Sequence, residues 1–292
     1  MSVLSIQSSV AAGHVGNSAA VPALQRLGIE TVALSTVTLA HHPARRIPEG
    51  APAWRGRIAE PSEIESMMDG LAAAGELARC AAILTGYLGD ASLGPAILDA
   101  VARVKSANPK ALYYCDPVMG ESEKGFYVRA GIPEFFRDRV VPRADVLLPN
   151  LFELAWLADG SDGAGWDIAR ALEAARRLIA RGPKLVVVKG LRRLVRGRRL
   201  VGALAASASA GWLAEGPEVA SSAHGAGDLF SALFVGRRVR GESVASALAR
   251  AVSSLHEAMA RTAREHREEM ALVAALDRLA NPKRLFKAVK IG

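Results

Sequence analysis

The sequence predicts an α/β protein, a central and mostly parallel sheet with helices on both faces, in one domain over residues 1–292. Short apolar runs alternate with amphipathic helical stretches along the chain, as successive βα units require. Half of the residues are hydrophobic but only 5% are aromatic, and Gly and Ala abound, which suits closely packed layers of helix on sheet. No internal repeat or linker-like stretch marks a second domain.

Charge and cysteine usage narrow the function classes. Lys plus Arg (37) exceed Asp plus Glu (29), a formal net charge of +8, which favours phosphate-rich partners. No aromatic-interleaved basic stripe or zinc-finger spacing accompanies that charge, so nucleic acid is not an expected partner. The two cysteines, Cys80 and Cys115, sit in apolar surroundings and read as buried, reduced thiols, hence a cytoplasmic setting. The N-terminus runs straight into a strand, with no signal-peptide pattern, and no apolar run approaches membrane-spanning length.

In chain order, Val3–Gln7 is a first strand that stops at Ser8-Ser9, and Gly13-His14-Val15-Gly16-Asn17 leads into a helix from Ala19 to Leu27. Ligands of parallel sheets sit off the carboxyl ends of strands, so Ser8 offers a hydroxyl to a substrate or is a turn serine. The G-H-V-G-N spacing lacks G-x-G-x-x-G and an acidic residue about twenty positions on, which excludes a dinucleotide fingerprint. Thr31–Val37 is the second strand. From about 38 to 58 follows a lid segment whose Pro43, Pro48, Pro52, Gly50 and Gly56 forbid regular helix. Its adjacent His41 and His42 have no carboxylate or Cys beside them, so metal ligation there is not expected.

A helix from Pro61 precedes the strand Ala81–Thr85, after which Tyr87 either stacks on a flat substrate or caps the core. Helix Ser92–Ser106 leads to strand Ala111–Cys115, which ends in Asp116. The strand Ala144–Leu148 ends in Pro149-Asn150, with Glu153 on the next helix. Asn150 and Glu153 have the spacing of a capping box; equally, Asp116, Asn150 and Glu153 at one rim suit a hydrated Mg²⁺ holding phosphates. Helix Trp166–Ala180 precedes strand Lys184–Val188, whose end points Lys189 at the same rim. Arg192–Arg199 reads as a solvated hairpin that could instead touch nucleotide phosphates; two edge strands follow, Leu200–Ala208 and Gly211–Leu213. Long helices begin at Gly227 and about Ser243, and Glu268–Lys290 reads as helical and then irregular.

Gly225-Ala226-Gly227-Asp228, entering an apolar helix, is where the chemistry points. Gly225 and Gly227 bring bare N–H groups close to a ligand at a helix N-terminus, an anion site. A carboxylate there repels phosphate unless it has a task, and the economical task for Asp228 is to take the proton of an attacking alcohol. The plainer alternative is an ordinary turn with Asp228 complementing the helix dipole.

Ser5-Ile6-Gln7-Ser8, Gly13-His14-Val15-Gly16-Asn17, Thr85-Gly86-Tyr87, Cys115-Asp116-Pro117-Val118-Met119-Gly120, Pro149-Asn150-x-x-Glu153 and Gly225-Ala226-Gly227-Asp228, in that order, resemble a pyridoxal kinase of the ribokinase-like superfamily over nearly the whole chain. The resemblance implies a ribokinase-like three-layer fold and transfer of the ATP γ-phosphate to the 5′-hydroxymethyl of pyridoxal, with pyridoxine and pyridoxamine as further acceptors. It implies Asp228 as base and the N–H groups of Gly225, Ala226 and Gly227 as anion hole. Ser8 would bond the pyridine ring, Val15 and Tyr87 would pack on it, and His42 belongs to the lid over it. Asp116 and Glu153 would hold Mg²⁺ through water, Asn150, Lys189, Gly225 and Gly227 would approach the nucleotide, and a monovalent cation is a candidate addition. A homodimer, with each site complete within one chain, is also implied.

The chain departs from that pattern at the lid, which reads Ala40-His41-His42-Pro43 where S-N-H-T is common and is longer than usual, and at Leu148, where Thr or a small residue often stands. Two other readings stay open: a kinase of another hydroxymethyl heterocycle, such as hydroxymethylpyrimidine, or of a sugar, and a pyridoxal-binding protein with little turnover.

Overall fold

A computed structural model describes residues 1–45, 55–221 and 223–292; residues 46–54 of the lid segment, Trp54 among them, and Ser222 lie outside the described residues. The strands are β1 Ser2–Ala12, β2 Glu30–His41, β3 Gly56–Ile58, β4 Cys80–Thr85, β5 Leu112–Cys115, β6 Gly120–Glu121, β7 Gly125–Phe126, β8 Val146–Leu147, β9 Leu185–Val195, β10 Arg198–Ala206, β11 Gly211–Pro217 and β12 Ala288–Lys290. The helices are α1 Asn17–Arg26, α2 Pro61–Ala73, α3 Gly94–Ala107, α4 Ile132–Phe135, α5 Leu151–Asp159, α6 Ile168–Ile179, α7 Ala226–Val239, α8 Val244–Arg264 and α9 Leu272–Ala280.

Among the described residues ten strands form one sheet in the order β12-β11-β10-β9-β8-β5-β4-β1-β2-β3. Its centre, β2-β1-β4-β5-β8-β9, is parallel, and antiparallel strands close both edges. The pleat sends alternate side chains to opposite faces. Leu4, Ile6 and Ile83 therefore pack with Met68 of α2, Ile97 of α3, Leu154 of α5 and Leu178 of α6. Val3, Ala82 and Leu84 pack with Leu24 of α1, Phe230 and Leu233 of α7, Leu248 of α8 and Leu279 of α9. The three-layer α/β arrangement read from the sequence is the one observed.

Three expectations are corrected. The first strand does not stop at Ser8-Ser9: β1 runs to Ala12 because β2 runs on beside it to His41, and the pairing register shifts between Gln7 and Ser9. Ser8 thus sits at an irregularity inside a strand, 7% exposed, rather than at a strand end. Likewise β9 continues past Lys189 to Val195; the register with β10 steps from Lys189–Ala203 to Leu191–Gly202, and Gly190 absorbs the extra residue with φ +70°. Finally, the C-terminal stretch read as irregular supplies β12, which pairs with β11.

Candidate active site

β5 and β8 end side by side, so the residues that follow them meet at one rim. Asp116 follows β5 and is fully buried; its Oδ2 accepts from Ser231 Oγ of α7 at 2.7 Å and from the ammonium of Lys189 on β9, while its Oδ1 is buried and has no partner among the described residues. Asn150 caps α5: its Oδ1 accepts from the Glu153 N–H at 2.9 Å, and Glu153 Oε2 accepts from the Asn150 N–H at 2.8 Å, a complete capping box. Glu153 Oε1 takes the Met119 N–H at 3.0 Å, and Asn150 Nδ2 donates to the Gly120 carbonyl at 2.7 Å. The capping alternative left open by the sequence is therefore realised, and both oxygens of Glu153 serve backbone donors.

The glycine turn before α7 is fixed by contacts too close for any side chain. Gly225 has φ +89°, and a Cβ there would lie 1.9 Å from the His14 carbonyl oxygen. Gly16 has φ +52°, and a Cβ there would lie 2.1 Å from the Ser8 carbonyl oxygen. These contacts press the G-H-V-G-N loop between β1 and the N-terminus of α7. From that position the Gly16 N–H donates to Asp228 Oδ2 at 2.8 Å. Burial pushes Asp228 up to about 6 and the charge of Asp116 adds to it, against the pull of the Gly16 N–H and Lys189. Burial also raises Glu153, to about 8. For Lys189, burial opposes the charged form, but the carboxylates of Asp116, Glu153 and Asp228 outweigh it and its pKa ends above the usual lysine value.

Thus Asp116, Asn150, Glu153, Lys189 and Asp228 meet, with Ser8 joined to them through Gly16. Val15 is buried in the same loop. Tyr87 is half-buried, its backbone carbonyl accepting from Thr36 Oγ1 at 2.6 Å; among the described residues its phenol makes no hydrogen bond to the cluster. His42, just past the end of β2, stacks on His224, which directly precedes the glycine turn: the centroids are 4.1 Å apart and the planes 20° from parallel. Burial, then its neighbour His224 and Lys124, lower His42 to about 4, and burial and Lys124 lower His224 as well. Arg45 reaches Glu269 at 3.7 Å beside this stack, and Pro43 is exposed.

Sequence reasoning assigned no role to Ser231 or His224. For Ser231 a signal existed, since D-x-x-S puts it one turn past Asp228 on the same side of α7; for His224 none did, because its partner lies on a distant strand. A divalent cation fits this rim through Asp116, whose orphaned buried Oδ1 is an acceptor awaiting a donor, more readily than through the capped Glu153. Among the described residues no group of three or more His, Cys, Asp or Glu side chains is arranged to hold a metal directly, and no helix is long and apolar enough to cross a membrane.

A family model described as phosphomethylpyrimidine kinase matches residues 59–272. The pyridoxal kinase PdxY of Rubrobacter xylanophilus is 43% identical over 293 residues, covering 100% of this chain and 98% of the relative. That of Pseudomonas aeruginosa is 39% identical, covering 99% and 98%. Among solved structures, pyridoxal kinase from Leishmania donovani in complex with ADP and pyridoxamine superposes with a TM-score of 0.87 at 28% identity, covering 99% of each chain. By its full-length likeness to these proteins, and within the wider group that the phosphomethylpyrimidine kinase model describes, the chain belongs to the pyridoxal kinase family.

Proposed function

We propose that this chain is an ATP-dependent pyridoxal kinase, a single catalytic unit over residues 1–292 that transfers the γ-phosphoryl group to the 5′-hydroxymethyl of pyridoxal, pyridoxine or pyridoxamine. The observation that carries the reading is the placement of Asp228: a buried carboxylate, raised to about 6, in the first turn of a helix whose preceding glycine turn presents backbone N–H groups. Its Oδ2 is taken by the Gly16 N–H, which leaves Oδ1 for the proton.

In the reaction the acceptor oxygen attacks the γ-phosphorus, its proton passes to Asp228, the bond to the β-phosphate oxygen breaks and ADP departs with the electron pair. The N–H groups of Gly225, Ala226 and Gly227 meet the charge on the transferred group. Ser8, Val15, His42 and Tyr87 hold the heterocycle, and Asn150 and Lys189 face the nucleotide. Asp116 and Glu153 would hold Mg²⁺ through water, and Mg²⁺ supplies charge neutralisation on the phosphates. A monovalent cation would add to the same neutralisation.

A kinase acting on hydroxymethylpyrimidine is the second reading, favoured by the family model that spans residues 59–272. ADP release with Mg-ATP and pyridoxal, pyridoxine, pyridoxamine, hydroxymethylpyrimidine or ribose separates them. We expect release with the three B6 vitamers; preference for hydroxymethylpyrimidine would overturn the first reading, and tight pyridoxal binding without ADP would favour a binding protein. Two free, buried cysteines support a cytoplasmic setting. We assign a homodimer, for which light scattering should return about twice the 30.7 kDa chain mass.

A further inference from the structure

The rim carboxylates already have a cation. Lys189 places its ammonium on Asp116 Oδ2 and 3.5 Å from Ser231 Oγ, with its side chain only 10% exposed. It lies at the foot of the glycine turn, where a Cβ on Gly227 would stand 3.3 Å from Nζ. Glu153 and Asp228 add their attraction to that of Asp116. Ser231 bonds the same oxygen of Asp116 as Lys189 does, at 2.7 Å, while Asp116 Oδ1 stays buried and, among the described residues, without a partner.

We propose that Lys189 is the resident cation of the unliganded site, so that a divalent cation binds together with the nucleotide and not before it. This rests on the kinase reading above, which supplies the nucleotide and the cation. A divalent ion arriving alone must approach Asp116 against a fixed positive charge on the same carboxylate, where low dielectric magnifies repulsion. Nucleotide phosphates offer Lys189 another anionic partner, and as the ammonium turns to them it frees Asp116. Ser231 is a positioning residue in this exchange: its hydroxyl stays on Oδ2 and keeps the carboxylate oriented while Lys189 leaves.

The test needs no turnover. Thermal unfolding of the full chain is followed in MgCl₂ against KCl of equal ionic strength, and Mn²⁺ binding is titrated by electron paramagnetic resonance, both without nucleotide. We expect no Mg²⁺-specific rise in the wild-type Tm. Lys189→Met leaves Asp116 buried without a counter-charge, so its Tm should start lower and rise specifically with Mg²⁺, with Mn²⁺ bound at least about tenfold tighter than by wild type. Equal Mn²⁺ affinity in the two proteins, or no Mg²⁺-specific rise in the variant, overturns the proposal. Should Lys189→Met not fold, the wild type decides. Mn²⁺ bound alone as tightly as with a non-hydrolysable ATP analogue overturns it, and binding weaker by about tenfold or more supports it. Failure of every acceptor to release ADP would sink the kinase reading and leave these affinities standing.

Discussion

The backbone N–H of Gly16 donates to Oδ2 of Asp228 at 2.8 Å across 212 residues of sequence. The bond joins the first βα loop to the helix N-terminus that carries the proposed base, and the φ of +52° at Gly16 together with the approach of Ser8 reserves that position for glycine. One carboxylate oxygen is thereby immobilised, and the other is the one the proposed mechanism uses.

The environment of Asp228 sets the pH dependence. Burial and the neighbouring Asp116 raise it to about 6, so the basic form is lost as pH falls through that value. We expect kcat/KM for pyridoxal to fall about tenfold per unit as pH drops below 6. An acidic limb centred near 4, the ordinary carboxylate value, would mean that this carboxylate does not limit the reaction.

The stacked His42 and His224 should act as one unit in holding the acceptor. Replacing either by Ala is expected to raise KM for pyridoxal about two- to tenfold, the value of a stacked aromatic pair. The double substitution should cost little more than one, and His224→Phe should restore most of the loss. Additive effects in the double-mutant cycle would show that the rings act separately.

Glu153 is predicted to matter for stability before any ligand binds. Its two oxygens accept the Met119 and Asn150 N–H groups, and Glu153→Gln turns an amide donor toward one of them. A loss of about 1–3 kcal/mol in urea unfolding is expected. Unchanged stability would indicate that the capping box contributes nothing to folding.

The layers of the fold were legible because short apolar runs, as strands buried on both faces require, alternate with amphipathic helical stretches along most of the chain. The glycine turn entering the α7 helix was legible because small residues sit directly ahead of an apolar helical pattern; the role of Asp228 was not, since an ordinary turn with a dipole-complementing acid has the same sequence. What escaped depends on partners far along the chain. Ser8-Ser9 reads as a strand end, yet β2 carries β1 on to Ala12. Lys189-Gly190 reads as another end, but Gly190 takes φ +70° and the strand continues. Ala288–Lys290 is a strand only because β11 offers it an edge. The Asp116–Lys189–Ser231 group joins a strand end, a neighbouring strand and a helix: the strand ends placed Asp116 and Lys189 on one rim in the sequence, but that Lys189 and Ser231 share one carboxylate oxygen of Asp116 depends on how the layers pack.

Asp228→Asn tests the central claim most directly, with kcat measured at saturating Mg-ATP and pyridoxal and the dissociation constant of pyridoxal measured on the same protein. Asn keeps an oxygen for the Gly16 N–H and removes only the ability to take the proton. We expect kcat to fall by about 10²–10⁴-fold while pyridoxal binding stays within about twofold of wild type. A kcat near that of the wild type would contradict the role of Asp228 as the base.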